Sequence, residues 1–252
     1  MEIKDIKTKF PIHFQIEMDK GNIMSLIYEI FEYGTAYVVG GFFRDFLGNK
    51  KSRDIDIIVD IDNEILIKII NNNNFKHSIN RHGGIKISTG YIDVDVWSIE
   101  NNWAFKNNLI KLNENDKLNS ISKGCFYNYD ALVINLNNFS FNIRYYNDFI
   151  KTKELKILSK MPKYKNLNPS IEANILRAFY LKKHFKVSYE KSTYEYLFDK
   201  INYLNFSYFN ALDRLEEIKI VYPKYNSLSK EEIINYILDI QDNNSTQLRL
   251  DL

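Results

Sequence analysis

Cysteine is nearly absent. Cys125 is the only one in 252 residues, which excludes an internal disulfide framework and a zinc site built on several thiolates. No window of about 18 apolar residues occurs, so no transmembrane helix is expected. The first ten residues, Met-Glu-Ile-Lys-Asp-Ile-Lys-Thr-Lys-Phe, hold no apolar signal region. The expected compartment is the cytoplasm, which suits a lone thiol. Excess charge is lacking too: 34 basic and 32 acidic side chains leave a net charge of +2. No global field draws this chain to nucleic acid, and any such surface must be a local patch. Arginine is scarce beside lysine and asparagine, a bias of the genome rather than of function. There is no internal repeat, and Asn71–Asn74 reads as a polar helix end. Glycine disappears after Gly124, which separates the two halves of the chain. With 45% hydrophobic and 15% aromatic residues, the length suits one large domain or two small ones.

What is present is concentrated in one stretch. Residues 38–60 read Val-Val-Gly-Gly-Phe-Phe-Arg-Asp-Phe-Leu-Gly-Asn-Lys-Lys-Ser-Arg-Asp-Ile-Asp-Ile-Ile-Val-Asp. An apolar strand runs into Gly40-Gly41, a short helix follows, Gly48 ends it, and a second strand carries Asp54 and Asp56. Strand side chains alternate faces, so these two carboxylates project to the same side. They repel each other unless a cation sits between them. A glycine pair before a helix lets backbone N–H groups approach an anion closely. The two halves together describe a site for a metal-bound nucleoside triphosphate. The plainer reading of the same residues is a surface strand with two solvated aspartates beside a tight turn.

Periodicity supplies the surroundings. Ile23, Leu26, Ile27 and Ile30 predict a helix over 19–33, with Asp19 as N-cap and Gly34 as its stop. Ala36–Val39 and Asp54–Val59 read as partner strands. Asp62 caps a helix carrying Ile65, Leu66, Ile69 and Ile70. Gly84–Ser88 and Tyr91–Trp97 form strands joined at Thr89-Gly90, and Ala131–Leu136 with Phe139–Arg144 form a hairpin through Asn137-Asn138. The first part is thus an α+β head with a mixed sheet and flanking helices. Beyond it the pattern is helical, at about 169–185, 190–204, 206–220 and 229–241. The expected domains are a head over 1–158 and a helical region over 159–252.

The string Val39-Gly40-Gly41-Phe42-Phe43-Arg44-Asp45, then Gly48, then Asp54-Ile55-Asp56 resembles a known signature. It is that of the head domain of class II tRNA nucleotidyltransferases (CCA-adding enzymes) and bacterial poly(A) polymerases, in the polymerase-β-like nucleotidyltransferase superfamily. That family usually has one more residue between the Arg-Asp pair and the next glycine. The resemblance implies metal-dependent transfer of a nucleoside monophosphate from an NTP, ATP or CTP, to an acceptor hydroxyl, with release of pyrophosphate. Two Mg²⁺ ions would be held by Asp54, Asp56 and a third carboxylate from a neighbouring strand. Ile92-Asp93-Val94-Asp95-Val96-Trp97 offers two. Asp95 is favoured because apolar residues flank it as they flank Asp56, and Asp93 is the alternative third ligand; the competing reading is a solvated edge strand. Gly40, Gly41 and Arg44 would meet the nucleotide phosphates, Arg44 having as its alternative an ion pair with Asp45 or Asp54. Arg81-His82-Gly83-Gly84 is either a β-turn or a segment near the acceptor.

Ile175-Leu176-Arg177-Ala178 and His184-Phe185-Lys186-Val187 resemble the same family's neck helix, so the likeness extends over residues 20–205 and adds Arg177 to the nucleotide-binding set. The family reads the incoming base with Glu-Asp followed by Arg. Here those positions fall near Ser170, Ile171 and Asn174. The family's Arg-Arg-Asp-Phe-Thr-x-Asn motif is replaced by Gly124-Cys125-Phe126-Tyr127-Asn128-Tyr129-Asp130-Ala131, in which Asn128 and Asp130 would contact ribose or metal. Residues 206–252 are too few for the family's full tRNA-holding body and tail. The acceptor implied first is therefore an RNA 3′ end, tRNA in the family. The alternative is a protein or small molecule, as in toxin or defence-type nucleotidyltransferases. For RNA speak Lys151, Lys153, Lys156, Lys160, Lys163, Lys165, Lys182, Lys183, Lys186 and Lys191, interleaved with Tyr145, Tyr146, Tyr164, Phe179 and Tyr180. Against it, the same residues read as a solvated helix face over core aromatics. Aromatics over 194–209 read as helical core or as an interface with a protein partner or a second copy.

Overall fold

The computed structural model describes residues 3–80, 83–158 and 170–250. Arg81, His82 and residues 159–169, which include Lys160, Lys163, Tyr164 and Lys165, lie outside the described residues. Contacts divide the chain into two compact units, Met1–Asn147 and Asp148–Leu252. The 158/159 boundary expected from composition falls inside the second.

The first unit runs α1 (Ile3–Lys20), α2 (Met24–Tyr33), β1 (Thr35–Val39), α3 (Gly41–Leu47), β2 (Asp54–Asp60), α4 (Asn63–Asn72), β3 (His77–Ile79), β4 (Ile85–Ser88) and β5 (Asp93–Ser98). It continues through α5 (Trp103–Lys106), α6 (Lys117–Gly124), β6 (Val133–Asn135), β7 (Phe141–Asn142) and the start of α7 (Arg144–Thr152). Its seven strands form one sheet in the order β3-β4-β5-β2-β1-β6-β7. Only β2 and β5 pair in parallel; the other neighbours are antiparallel. This is the mixed α+β head expected from the sequence. β5 is an interior strand, so the edge-strand reading of residues 91–97 does not hold.

The local signals act as their chemistry dictates. Asp62 accepts from the N–H groups of Glu64 and Ile65 and caps α4. Gly34 ends α2, its N–H donating to the Ile30 carbonyl. A Cβ at Gly34 would lie 2.3 Å from the Asp60 carbonyl oxygen, so the chain enters β1 only without a side chain there. Thr89 holds the β4–β5 turn with its hydroxyl, which donates to the Ile92 carbonyl at 2.7 Å, and Gly90 takes φ +80°.

Two elements depart from the sequence reading. Asp19 is not the N-cap of a helix over 19–33: it lies in α1, and a break at Gly21-Asn22 precedes α2, whose N-cap, Ile23, makes no side-chain cap. To α1 itself the periodicity above assigns nothing. Its residues Ile6, Phe10, Phe14 and Met18 recur every fourth position and are buried. The Phe10 ring meets Phe43 and Phe46, each at 5.1 Å between centroids, and Phe42 at 5.9 Å. Seven residues are too few for a self-supporting helix. The aromatic cluster is therefore what fixes α3, the helix that follows the glycine pair. The second is β3, whose residues are exposed and carry no alternation to read.

The second unit contains the rest of α7, then β8 (Glu154–Leu155), α8 (Ile171–Phe185), β9 (Ser188–Tyr189), α9 (Lys191–Tyr208), α10 (Ala211–Val221) and α11 (Lys230–Leu250). The four expected helices are present, with a two-residue parallel ribbon, β8–β9, that the helical reading omitted. Without glycine, α8 and α9 are terminated by Lys186 and Phe209 in the left-handed region, at φ +53° and +61°. Leu197, Ile201 and Leu204 form the buried stripe of α9, while Tyr203, Phe206, Tyr208 and Phe209 are exposed. Among the described residues no helix is long and apolar enough to cross a membrane.

Removing the Phe10 ring should cost about 3–5 kcal/mol of stability. Urea titration of Phe10→Ala by circular dichroism should show a lower midpoint. An unchanged midpoint would mean that α1 does not hold α3.

Candidate functional site

The two faces of the sheet have different coverings. One carries Ala36, Val38, Ile55, Ile57, Val59, Ile85, Ile87, Val94 and Val96, buried in a single cluster with side chains of α1 to α4. On the other, Tyr37, Ile58 and Val133 pack with Ile99 and with Ile121 of α6. Alternation places Asp54, Asp56, Asp93 and Asp95 on this second face, and all four are only half-buried.

Register arranges them as a square. Along the parallel pair, Asp54 stands opposite Asp93 and Asp56 opposite Asp95. On the other side of β5, Lys86 stands opposite Asp95 and Ser88 opposite Asp93. Neighbouring strands lie ~4.8 Å apart and same-face neighbours ~7 Å apart along a strand, so the four carboxylates share one small area. Two tethered cations occupy its margin. Arg53 donates to Asp54, Nε to Oδ2 at 3.0 Å. Lys86 pairs with Asp93 at 2.7 Å, where the Ser88 hydroxyl also donates at 3.0 Å.

The two candidate third ligands therefore differ. Hydrogen bonds from Lys86 and Ser88 hold the Asp93 carboxyl below its ordinary range. Burial pushes Asp95 up, and the negative charges of Asp54 and Asp93 add to this against the opposing pull of Lys86. Among the described residues no three His, Cys, Asp or Glu side chains converge closely enough to hold a metal ion. The backbone brings the carboxylates abreast, and Asp54 and Asp93 are paired with Arg53 and Lys86.

At the C-terminal end of β1, Val39 stands opposite Asp56, and the next residue is Gly40. Gly40 takes φ +65°, which favours glycine, and its N–H donates to the Leu132 carbonyl at 2.9 Å. Gly41 opens α3. Arg44 pairs with Asp130 at 2.8 Å rather than with Asp45 or Asp54, and its guanidinium lies over the Tyr129 ring at 4.2 Å. Both partners of this ion pair are largely buried. Arg44 thus fastens the glycine turn to residues 128–130. Asn128 is buried inside that turn at 1% exposure.

Trp97 follows Asp95 on the same face, opposite Ile58. A Cβ at Gly84 would come within 1.9 Å of its Nε1, so the chain before β4 passes directly against the indole. Arg177 lies on α8 in the second unit. In that unit Ser170 caps α8 through the Ala173 N–H, and Glu172 pairs with Arg214 at 2.8 Å. Lys156 pairs with Asp148 and Glu154, Lys182 with Asp239 and Lys183 with Glu232. These three lysines of the proposed basic surface are already matched.

Sequence reasoning missed Arg53 and Lys86. The signal for Lys86 was available: Ile85-Lys86-Ile87-Ser88 alternates buried and exposed, which puts Lys86 and Ser88 on the carboxylate face.

Residues 36–119 match the family model of the poly A polymerase head domain, so the resemblance drawn from the glycine and Asp-x-Asp string holds. Among curated proteins none matches. Solved structures do. A Thermotoga maritima CCA-adding enzyme complexed with tRNA superposes with a TM-score of 0.60 at 16% identity, over 96% of this chain and 54% of that one. A CCA-adding enzyme with CTP gives 0.55 at 19% identity, over 82% and 47%. A tRNA nucleotidyltransferase with primer tRNA and an incoming ATP analogue gives 0.52 at 17%, over 82% and 57%. This chain has their fold and spans about half the length of these structures.

The Asp95 environment has a measurable consequence. The folded state holds its proton above the ordinary value of 3.8. In that window the folded chain binds more protons than the unfolded one, so stability falls as pH rises through it. Asp95→Asn should therefore melt higher than the wild type at pH 7 in a chelator, and the gain should vanish below pH 3.8, where both states are protonated. A gain that did not change with pH would contradict this account.

Proposed function

We propose that this protein is a metal-dependent nucleotidyltransferase that moves a nucleoside monophosphate from an NTP to an acceptor hydroxyl, first of all the 3′ end of an RNA. The observation that carries the reading is the parallel register that sets Asp56 beside Asp95 and Asp54 beside Asp93, one residue from the Gly40-Gly41 turn. The sequence match of this segment to the poly A polymerase head domain supports it.

The donor set is carboxylate oxygen alone, which suits Mg²⁺ rather than a softer ion. By the resemblance, Asp54, Asp56 and Asp95 are the residues that would hold it, and the register sets Asp56 beside Asp95. Bound there, Mg²⁺ would lower the acidity threshold of the acceptor hydroxyl and neutralise charge on the triphosphate. The chain's own contribution is placement. Asp56 and Asp95 stand on neighbouring interior strands, so their spacing is set by the sheet. A carboxylate at the acceptor takes the hydroxyl proton as the oxygen attacks the α-phosphorus, and the bond to the bridging oxygen breaks to release pyrophosphate. The Gly40 turn brings backbone to the phosphates without a side chain in the way. Arg44, spent on Asp130 and Tyr129, positions that turn, and Asn128 shapes its floor. The role of Arg177 in nucleotide binding rests on its motif.

One observation favours a second acceptor class. Ser170 caps a helix instead of reading a base, and Lys156, Lys182 and Lys183 are committed to ion pairs. A protein side chain or small molecule is the acceptor this would suit.

Incubation with Mg²⁺ and each labelled NTP, in the presence of total RNA, total protein or neither, should place label on RNA. Label only on protein or a small molecule would establish the second class. Asp54→Ala and Asp56→Ala should both bring transfer to background, and persistence of either would show that the carboxylate assignment is wrong. If RNA is the acceptor, its binding should weaken steeply between 50 and about 200 mM salt. A flat salt response would remove the RNA reading.

A further inference from the structure

We infer that Lys50 and Lys51, on the loop entering β2, form with the Tyr91 ring a docking surface for single-stranded RNA. The lysines meet its phosphates and the ring stacks on one of its bases. This names the acceptor surface for the RNA reading above and rests on it. Because β2 and β5 are parallel, the chain enters both at the same end of the sheet. Residues 48–53 lead into Asp54 there, and the β4–β5 turn leads into Asp93. β1 runs opposite to β2 and leaves at that end into Gly40. The loop, the turn, the carboxylates and the glycine pair thus gather at one end of the sheet.

The loop is anchored while its two lysines remain unmatched. Ser52 is buried and donates to the Asp45 carboxylate at 3.1 Å, and the Lys50 N–H donates to the Asp45 carbonyl at 2.8 Å. Lys50 and Lys51 are exposed, and among the described residues neither forms an ion pair. In this they differ from Arg53, paired with Asp54, and from Lys156, Lys182 and Lys183. Other exposed lysines, such as Lys7 and Lys68, lie on α1 and α4, whose side chains cover the opposite face. Lys51 Nζ lies 5.3 Å from the centroid of the Tyr91 ring, and Lys20 Nζ lies 5.4 Å from it. The Tyr91 hydroxyl donates to the Glu17 carboxylate at 3.1 Å, and the residue is 37% exposed. The ring is therefore held in place while part of it meets solvent. A fixed aromatic ring beside unmatched ammonium groups is what a single strand binds: phosphates meet the charge and a base stacks on the ring. An acidic protein would use the charge and leave the ring idle.

The test reads RNA binding rather than turnover. A fluorescein-labelled single-stranded oligoadenylate is titrated with the protein in a chelator, without NTP, and followed by anisotropy at several salt concentrations. Circular dichroism confirms that each variant is folded. Lys50→Gln with Lys51→Gln should weaken binding about tenfold or more at low salt. It should also flatten the salt slope by about 1.4, the share of two phosphate contacts on a single strand. Lys7→Gln with Lys68→Gln removes the same charge elsewhere and should leave binding near the wild-type value. Tyr91→Leu should weaken binding roughly tenfold with the slope unchanged, and Tyr91→Phe, which keeps the ring, should bind as the wild type does. Equal losses from the two lysine pairs overturn the inference, and so does a Tyr91→Phe loss as large as that of Tyr91→Leu. Competition by polyglutamate as effective as that by unlabelled RNA overturns it too, because it marks a surface for acidic protein. Labelled ATP with Mg²⁺, titrated separately, should bind the wild type and the Lys50, Lys51 variant equally; a parallel loss of ATP would assign these lysines to the triphosphate and overturn the surface. RNA binding that survives all these substitutions overturns this surface and leaves the RNA reading standing. A wild type that binds no RNA overturns the RNA reading, and this surface with it.

Discussion

The parallel pairing of β2 with β5 is the constraint on which the site depends. In an otherwise antiparallel sheet it puts the first residues of both strands at the same end. Two Asp-x-Asp segments separated by 36 residues of chain thereby come to lie abreast. Antiparallel pairing over the same span would set Asp54 against Ser98 and send the second pair of carboxylates to the far end. Parallel neighbours need a long crossover, and α4, β3 and β4 supply it. β4 then adds itself as the next strand and brings Lys86 and Ser88 to the same face. The connection required by topology thus also furnishes the groups that distinguish Asp93 from Asp95.

Much of this was legible in the residues. The turn at Gly40, the alternation of Asp54-Ile55-Asp56-Ile57 and the cap at Asp62 follow from local chemistry, and each is found. The direction of β5 was not legible, because alternation is the same in either sense. Nor was α1, whose apolar residues recur every fourth position around an interior Pro11 that local propensity counts against. Its helical state is decided by Phe10 packing on the three phenylalanines of α3, a contact between segments that no local pattern contains. Arg44 shows a third limit. Its candidates by proximity in sequence were Asp45 and Asp54, yet the partner is Asp130, brought near by the pairing of β6 with β1.

The second unit illustrates how charge composition misleads. Its lysines look like a basic surface when read along the chain. In three dimensions Lys182 and Lys183 on α8 meet Asp239 and Glu232 of α11, helices far apart in sequence. Ion pairs of this kind cost the unit little and remove charge from any external partner. In the absence of glycine, Lys186 and Phe209 take the left-handed conformation at its helix ends.

Trp97 gives the site a further property. The protein has two tryptophans. Trp103 is buried, while Trp97 shares the carboxylate face, two residues from Asp95 and pressed against the backbone at Gly84. An indole so placed is a natural fluorophore at the rim of the square of aspartates. The molecule carries its own optical gauge of what occupies that face, and position 84 is the setting on which its calibration depends.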